Sequence, residues 1–217
     1  MFKLFLAGLT GLALFGNVAL AQVNENAPQG GSMTVTYKDD VATLDPAIGY
    51  DWQNWSMIKS LFDGLMGYEP GSTQLRNELS ASNTISADGM VHVFKLKNGI
   101  KFHNGREITA ADVKYSLERV TNPKTQSPGA GFFGMIDGFD SWNAGQDSGL
   151  SGVKVIDDKT IEIRLSRSDA TFLHVMALNF ASIVPKEAVD AAGEDFGRKP
   201  VGSGAFKLAE WTPGQRV

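Results

Sequence analysis

The sequence contains no cysteine among its 217 residues. We therefore expect no disulfide, no thiolate-bound metal and no lipid anchor attached through a cysteine. The three histidines, His92, His103 and His174, are scattered, and no two of them have the i, i+4 spacing of a helical metal site. These absences predict a protein without a metal or other cofactor.

The sequence also lacks any run of Lys or Arg, and its net charge is −4. An acidic chain without a basic patch is unlike a nucleic-acid-binding protein. It contains neither a G-x-S-x-G element nor a P-loop. Gly202-Ser203-Gly204 is not a P-loop, because no lysine directly follows Gly204 and the flanking residues do not fit. We therefore predict no catalytic residue and no enzymatic activity, with a secreted hydrolase as the weaker alternative.

The amino terminus carries the signature of an export signal. Lys3 precedes an apolar run over residues 4–14, and Ala19-Leu20-Ala21 has the small-x-small pattern of a cleavage site. The alternative, a membrane anchor, requires a longer apolar span without interrupting glycines. The sequence predicts a signal peptide over residues 1–21, cleavage after Ala21, and a periplasmic protein.

The stretch over residues 91–119 contains the clearest local signals. Residues 91–96 alternate as a half-buried strand, and Asn98-Gly99 predicts a hairpin whose return strand carries Ile100 and Phe102. Thr109 and Asp112 have the spacing of a capping box, with Asp in place of Glu or Gln. A helix is expected after Thr109, with Val113, Ser116, Leu117 and Val120 on one face.

Periodicity and turn residues predict the remaining elements. Strands are expected over residues 33–37 and 205–211, with a hairpin over 153–165. Helices are expected over residues 51–66 (capped by Asp51) and 172–178 (capped by Ser168 or Asp169). A further helix is expected after Val184-Pro185-Lys186, ended by Gly193. Residues 68–90 are turn-rich, Thr212 to Gln215 predict a type II turn, and the aromatics of the loop over 122–148 are expected to pack it onto the body.

Four stretches together resemble a known family. The central one has the pattern F-x-L-x-x-G-I-K-F-H-N-G followed by T-A-x-D-V-x-Y-S, from Phe94 to Ser116. The others are Thr43-Leu44-Asp45-Pro46, Leu61-Phe62-Asp63-Gly64-Leu65 and the block from Pro200 to Leu208. The chain resembles the peptide- and nickel-type (family 5) solute-binding proteins of ABC importers, in which the central stretch is scaffold.

That resemblance implies an α/β fold of the two-lobed, type II periplasmic binding-protein class. Residues 22–67 and 169–217 would belong to lobe I, and residues 68–168 would form a small α/β subdomain packed on it. The predicted strand over 205–211 has no returning partner in the sequence, and members of the family are much longer. We therefore expect a truncated, N-terminal portion that lacks the second ligand-binding lobe.

The resemblance also points to a ligand site and to a partner. In such proteins the loop after Asp45-Pro46 lines the cleft, which places Tyr50 and Trp52 at ligand-contacting positions, with Asn179 and Phe180 as weaker candidates. The alternative, that Trp52 only packs the start of its helix, stays open. The expected function is capture of a short peptide by a monomer for delivery to a membrane permease; an opine, an oligosaccharide or a nickel chelate are alternative solutes.

Overall fold

The computed structural model describes residues 30–217, so the predicted signal peptide and its cleavage site after Ala21 lie outside the described residues. The chain divides into one unit over Met1–Thr36 and another over Tyr37–Val217. Residues 30–36 contain no helix or strand. The strand predicted over residues 33–37 is therefore wrong, and Met33 is 86% exposed. An alternating pattern forms a strand only where a second strand takes up its backbone hydrogen bonds.

The Tyr37–Val217 unit contains a four-stranded antiparallel sheet. A two-stranded sheet precedes it in the sequence. The larger sheet has the order β3-β4-β6-β5, and the smaller pairs β1 with β2. The strands are β1 (Met66–Tyr68), β2 (Leu75–Asn77), β3 (Ser80–Ile85), β4 (Val91–Leu96), β5 (Val153–Asp157) and β6 (Thr160–Arg164). The predictions of β4 and of the β5–β6 hairpin are confirmed, whereas β2 and β3 lie in the segment predicted to be turns.

Five α-helices and four short 3-10 helices complete the described residues. The α-helices are α1 (Trp52–Leu61), α2 (Ala110–Thr121), α3 (Phe139–Asn143), α4 (Phe172–Val175) and α5 (Lys186–Ala192). The 3-10 helices are Pro123–Thr125, Ala130–Phe133, Asn179–Ala181 and Gly193–Gly197. None of these helices is both long and apolar enough to cross a membrane.

Helix α2 begins as its sequence predicts. The Thr109 backbone N–H donates to the Asp112 carboxylate at 2.9 Å, which satisfies one of the free N–H groups at the helix start. The apolar face formed by Val113, Leu117 and Val120 is buried in the larger of two hydrophobic clusters. The predicted capping box and the predicted buried face are both confirmed.

Two helices are shorter than predicted. Asp51 caps α1, because its carboxylate accepts the Asn54 N–H at 3.0 Å, but the helix ends at Leu61 instead of residue 66. The chain is already extended at Phe62, with ψ 150°, and leads directly into β1. Helix α4 ends at Val175 instead of residue 178. Thr171, directly before it, makes no capping hydrogen bond, but the predicted cap Asp169 lies two residues earlier and its carboxylate accepts the Thr171 N–H at 2.9 Å.

Two predicted strands are also corrected. Gly99 makes a turn with φ +72°, but the chain does not return along β4. Both edges of β4 are occupied by β3 and β6, and residues 100–108 instead form their own small hairpin around Asn104-Gly105. Residues 205–211 form no strand, although the Phe206 N–H donates to the Ser60 carbonyl at 3.1 Å.

Candidate functional site

Four aromatic side chains from three separate segments meet at the surface, and we call them the aromatic cluster: Tyr50, Trp55, Phe132 and Phe180. Phe180 is at its centre, with ring centroids 5.8 Å from Tyr50 and 6.0 Å from Phe132. Both of these rings are nearly parallel to Phe180, at 25° and 26°. Trp55 meets Phe180 edge-on at 5.7 Å. Offset-parallel and edge-on contacts are the favoured geometries of aromatic pairs.

The loop before α1 positions Tyr50. The Asp45 carboxylate accepts the Ala47 N–H at 2.9 Å, and the Asp45 carbonyl accepts the Gly49 N–H at 2.9 Å. The indole N–H of Trp55 then donates to the Gly49 carbonyl at 2.8 Å. These bonds fold the loop back on the first turn of α1, so that Tyr50 projects beside Trp55 with its side chain 58% exposed.

The short helix Asn179–Ala181 supplies the centre of the cluster. The Asn179 side-chain amide donates to the Trp55 carbonyl at 3.0 Å, which ties this helix to α1. Phe180 is only 2% exposed. A Cβ atom at Gly129 would lie 2.3 Å from the Phe180 ring, so the ring fills the space that a side chain at Gly129 would need.

The structure brings together three of the four residues predicted to bind ligand. Tyr50, Asn179 and Phe180 meet at Trp55, with Phe180 beneath the surface. Trp52 is 59% exposed and lies outside the cluster, with its ring 5.5 Å from that of Tyr37. Their assignment as ligand-binding residues stays a prediction.

Sequence reasoning missed two members of the cluster. Helical spacing places Trp55 on the apolar face of the predicted helix over residues 51–66, and Phe132 belongs to the aromatics expected to pack the loop over 122–148. Phe133 is indeed buried in the main hydrophobic cluster, but Phe132 is 41% exposed against Phe180. Adjacent aromatics in a glycine-rich loop indicate that one of the two faces outward, but not which one.

The aromatic cluster is suited to non-covalent binding. Two of its rings, Tyr50 and Phe132, are 58% and 41% exposed, and apolar surface with a few polar groups is typical of small-molecule sites. Within residues 30–217, no group of three acidic or histidine side chains is arranged to hold a metal ion.

Three of the four segments with the family resemblance are bonded to one another, whereas the fourth, Thr43 to Pro46, holds the loop that carries Tyr50. Ser203 donates to the Asp63 carboxylate at 2.9 Å. His103 Nδ1 accepts the Gly202 N–H at 3.3 Å, so its other nitrogen, Nε2, carries the proton that is donated to the Gly204 carbonyl at 2.9 Å. Motif side chains are therefore used to bond other motif segments, as expected of scaffold.

An ion-pair network adds to these contacts. Arg106 donates to Asp112 through Nη2 at 2.6 Å and to Glu187 through Nε at 2.6 Å, and so joins the hairpin over residues 100–108 to α2 and α5. The Arg106 guanidinium lowers the pKa of the Glu187 carboxyl. The two carboxylates raise the pKa of Arg106, which keeps this arginine charged. The network positions elements and leaves no group free for acid–base chemistry.

Solved structures of known proteins define the fold class of this chain. The fold resembles the substrate-binding domain of an oligopeptide ABC transporter from Bacillus anthracis, with a TM-score of 0.79 and 26% identity over 82% of this chain and 35% of that one. It also resembles MoaA from A. tumefaciens in complex with mannopinic acid, with a TM-score of 0.71 and 30% identity over 81% and 34% of the two chains. The α/β fold of the two-lobed periplasmic binding proteins is thus confirmed.

The sequence comparisons then give the family. Residues 74–217 match the profile of the bacterial extracellular solute-binding proteins, family 5 Middle, and the chain belongs to this family. The glutathione-binding protein GsiB of Escherichia coli O6:K15:H31 is 27% identical over 93% of this chain and 36% of its own length. The chain therefore spans about a third of the length of the relatives that it matches.

Proposed function

We propose that this protein is the substrate-binding component of an ABC importer, which captures short peptides in the periplasm and delivers them to a membrane permease. The observation that carries the proposal is the exposed aromatic cluster on a chain of the family 5 solute-binding proteins. The names of two relatives, one glutathione-binding and one an oligopeptide transporter, support a peptide as the solute.

The cluster would contribute one wall of a cleft. A peptide side chain placed on Tyr50 and Phe132 would remove apolar surface from water, at about 25 cal/mol for each Å². We propose that the Tyr50 hydroxyl and the Asn179 side-chain oxygen supply hydrogen bonds to the peptide. Closure of a second lobe over the ligand would complete the desolvation, and no covalent step is needed.

The finer features of the proposal follow from the sequence. We propose that the protein acts as a monomer without catalytic activity, is released into the periplasm by cleavage after Ala21, and carries no lipid anchor. Mass spectrometry of the exported protein tests the processing step directly: an amino terminus at Gln22 supports it, and retention of Met1 contradicts it.

A non-peptide solute is the second candidate. It is favoured by the likeness to MoaA, which was solved in complex with mannopinic acid. The ligand that co-purifies with the protein from its own cells, identified by native mass spectrometry, decides between the two.

Uptake in the producing cells tests the function itself. Deletion of the gene should abolish import of isotope-labelled di- to pentapeptides, and the intact gene should restore it. The Tyr50→Ala variant should restore import poorly although it is exported at a normal level. Phe206→Ala, which removes an exposed aromatic outside the cluster, is the matched control and should restore import fully. Undiminished peptide import after deletion would contradict the proposed function.

A further inference from the structure

Asparagine followed by glycine occurs twice in the sequence, at Asn98-Gly99 and at Asn104-Gly105. Both asparagines are exposed, and both glycines have a positive φ, of +72° and +92°. In such a pair the glycine nitrogen can attack the carbonyl carbon of the asparagine side chain, because glycine has no side chain of its own to hinder the approach. The reaction requires that the asparagine side chain is free to turn towards this nitrogen.

The Asn104 side chain is held at both of its polar atoms. Its Oδ1 accepts the Arg106 N–H at 3.1 Å, and its Nδ2 donates to Glu187 Oε1 at 3.1 Å. Glu187 is itself fixed by the Arg106 guanidinium, through bonds of 2.6 and 3.0 Å. The Gly105 N–H also donates, to the Phe102 backbone carbonyl at 2.9 Å. The Asn104 amide must therefore lose two hydrogen bonds before it can meet the Gly105 nitrogen.

The Asn98 side chain is not held in this way. Within residues 30–217 its amide makes no hydrogen bond. The Gly99 N–H does donate, to Glu107 Oε1 at 2.9 Å, but this acceptor belongs to a side chain that is 45% exposed and is shared with Lys159 at 2.6 Å. An exposed side chain has rotamer freedom that the Phe102 backbone carbonyl lacks, so its hydrogen bond opens more readily. The two reacting groups are thus freer at residues 98–99 than at residues 104–105.

We propose that Asn98 is a site of covalent modification by deamidation, and that the fold protects Asn104 from the same reaction. The Gly99 N–H gives its proton to hydroxide, and the nitrogen forms a bond to Cγ of Asn98. The bond between Cγ and Nδ2 then breaks, and ammonia leaves with a proton taken from water, which restores the hydroxide. Water opens the resulting five-membered succinimide at either carbonyl, and the product at residue 98 is aspartate or isoaspartate. No oxidation or reduction takes place.

The modification changes the turn between β4 and the hairpin over residues 100–108. It adds a negative charge next to Gly99, whose N–H is bonded to the Glu107 carboxylate. Like charges at this distance repel, so the Gly99–Glu107 contact becomes weaker. The isoaspartate form also inserts a methylene group into the main chain at this turn.

Tryptic peptide mapping of the complete chain tests this site. Cleavage after Lys97, Lys101 and Arg106 places the two asparagines in different peptides. The protein is incubated at mildly alkaline pH, either folded or in guanidinium chloride, and the mass gain of one dalton is followed in each peptide. In the folded protein we expect Asn98 to convert about tenfold faster than Asn104, because Asn104 must first lose two hydrogen bonds. In guanidinium chloride we expect similar rates at both.

Two variants of α5 test why Asn104 is protected. Glu187→Ala removes the acceptor of its Nδ2, and should raise the rate at Asn104 while the rate at Asn98 stays the same. Asp190→Ala removes an exposed carboxylate of the same helix and is the matched control, which should change neither rate. Equal rates in the folded protein, no conversion of Asn98, the same ratio of rates in guanidinium chloride, or an unchanged rate at Asn104 in Glu187→Ala overturns the proposal. None of these outcomes depends on peptide capture at the aromatic cluster.

Discussion

Arg119 of α2 forms a two-bond ion pair with Asp45, with Nη1 to Oδ1 at 2.8 Å and Nη2 to Oδ2 at 2.5 Å. The two side chains are only 14% and 11% exposed, and the guanidinium also lies 5.4 Å from the Phe196 ring centre. The same Asp45 carboxylate accepts the Ala47 N–H. One buried pair thus joins the central helix to the loop that carries Tyr50.

We predict that Asp45→Asn destabilises the protein by about 3–5 kcal/mol, because it leaves a buried guanidinium without its counter-charge. Urea unfolding followed by circular dichroism measures the change. Asp190→Asn, which breaks an exposed pair with Lys186, is the control and should leave the unfolding midpoint unchanged. A similar small effect of both substitutions would show that the Asp45 pair is not a stabilising contact.

Ser116 offers a second test of the scaffold. Its hydroxyl donates to the Asp112 carbonyl at 2.8 Å and accepts the Val184 N–H at 2.9 Å. Ser116→Ala should cost about 1–3 kcal/mol, because the buried Val184 N–H loses its acceptor. Ser56→Ala removes an exposed hydroxyl with the same i−4 bond within a helix, and we expect it to have no measurable effect on urea unfolding. If Ser116→Ala also has no measurable effect on urea unfolding, the Val184 N–H must have another acceptor.

Local patterns predicted the elements whose partners are close in sequence. The Thr109–Asp112 cap, the β5–β6 hairpin and the end of α5 at Gly193 depend on residues within a few positions of one another, and all three are confirmed. Strand β3 is mostly polar, with Ser80 buried at one end and mostly exposed residues after it. Its sequence has no alternation of apolar and polar residues from which a strand could be predicted. It is a strand because β4 offers it an edge.

The strand wrongly predicted over residues 205–211 is also explained by the presence or absence of a pairing strand. Residues 205–211 alternate well enough to predict a strand, but no strand among the described residues pairs with them. The aromatic cluster was only partly predictable for a related reason. The family resemblance indicated Tyr50 and Phe180 separately, but their contact joins residues 130 positions apart, and no local pattern encodes such a contact.

The burial of His92 makes the stability of the fold depend on pH. The ring is buried beneath Phe172, with centroids 4.5 Å apart, and neither ring nitrogen has a hydrogen-bond partner within residues 30–217. Burial lowers the pKa of His92. The unfolded chain therefore takes up a proton near pH 6.5 that the folded protein does not, so this contribution to stability is present above about pH 6.5 and is lost as the pH falls below it.

We expect urea unfolding to show lower stability at pH 5.5 than at pH 7.5, with a slope of at most about 1.4 kcal/mol for each pH unit from this group. His92→Leu should remove most of that slope. His174→Gln, which replaces an exposed imidazole bonded to Tyr68, should retain it. If the slope persists in His92→Leu, another group is responsible.

Gly129 allows the geometry of the aromatic cluster to be tested without touching its rings. Its backbone lies at φ −91°, ψ −6°, a conformation open to alanine, so only the contact with Phe180 opposes a side chain there. We predict that Gly129→Ala displaces the Phe180 ring and destabilises the protein by about 1–3 kcal/mol, the usual cost of overpacking. Because Trp55 contacts Phe180 edge-on, its fluorescence and the near-ultraviolet circular dichroism should change as well.

Gly131→Ala is the matched control, since Gly131 lies two residues further on, inside the 3-10 helix that Gly129 precedes, and a Cβ atom there would meet nothing within 4 Å. The double variant Gly129→Ala/Phe180→Leu gives the decisive comparison, because the smaller side chain makes room for the added methyl group. Each single substitution should destabilise the protein, and the double variant should be more stable than the sum of the two predicts, as for residues in direct contact. Strict additivity would mean that Phe180 does not depend on Gly129 for its position, and the cluster would then need another explanation for its parallel rings.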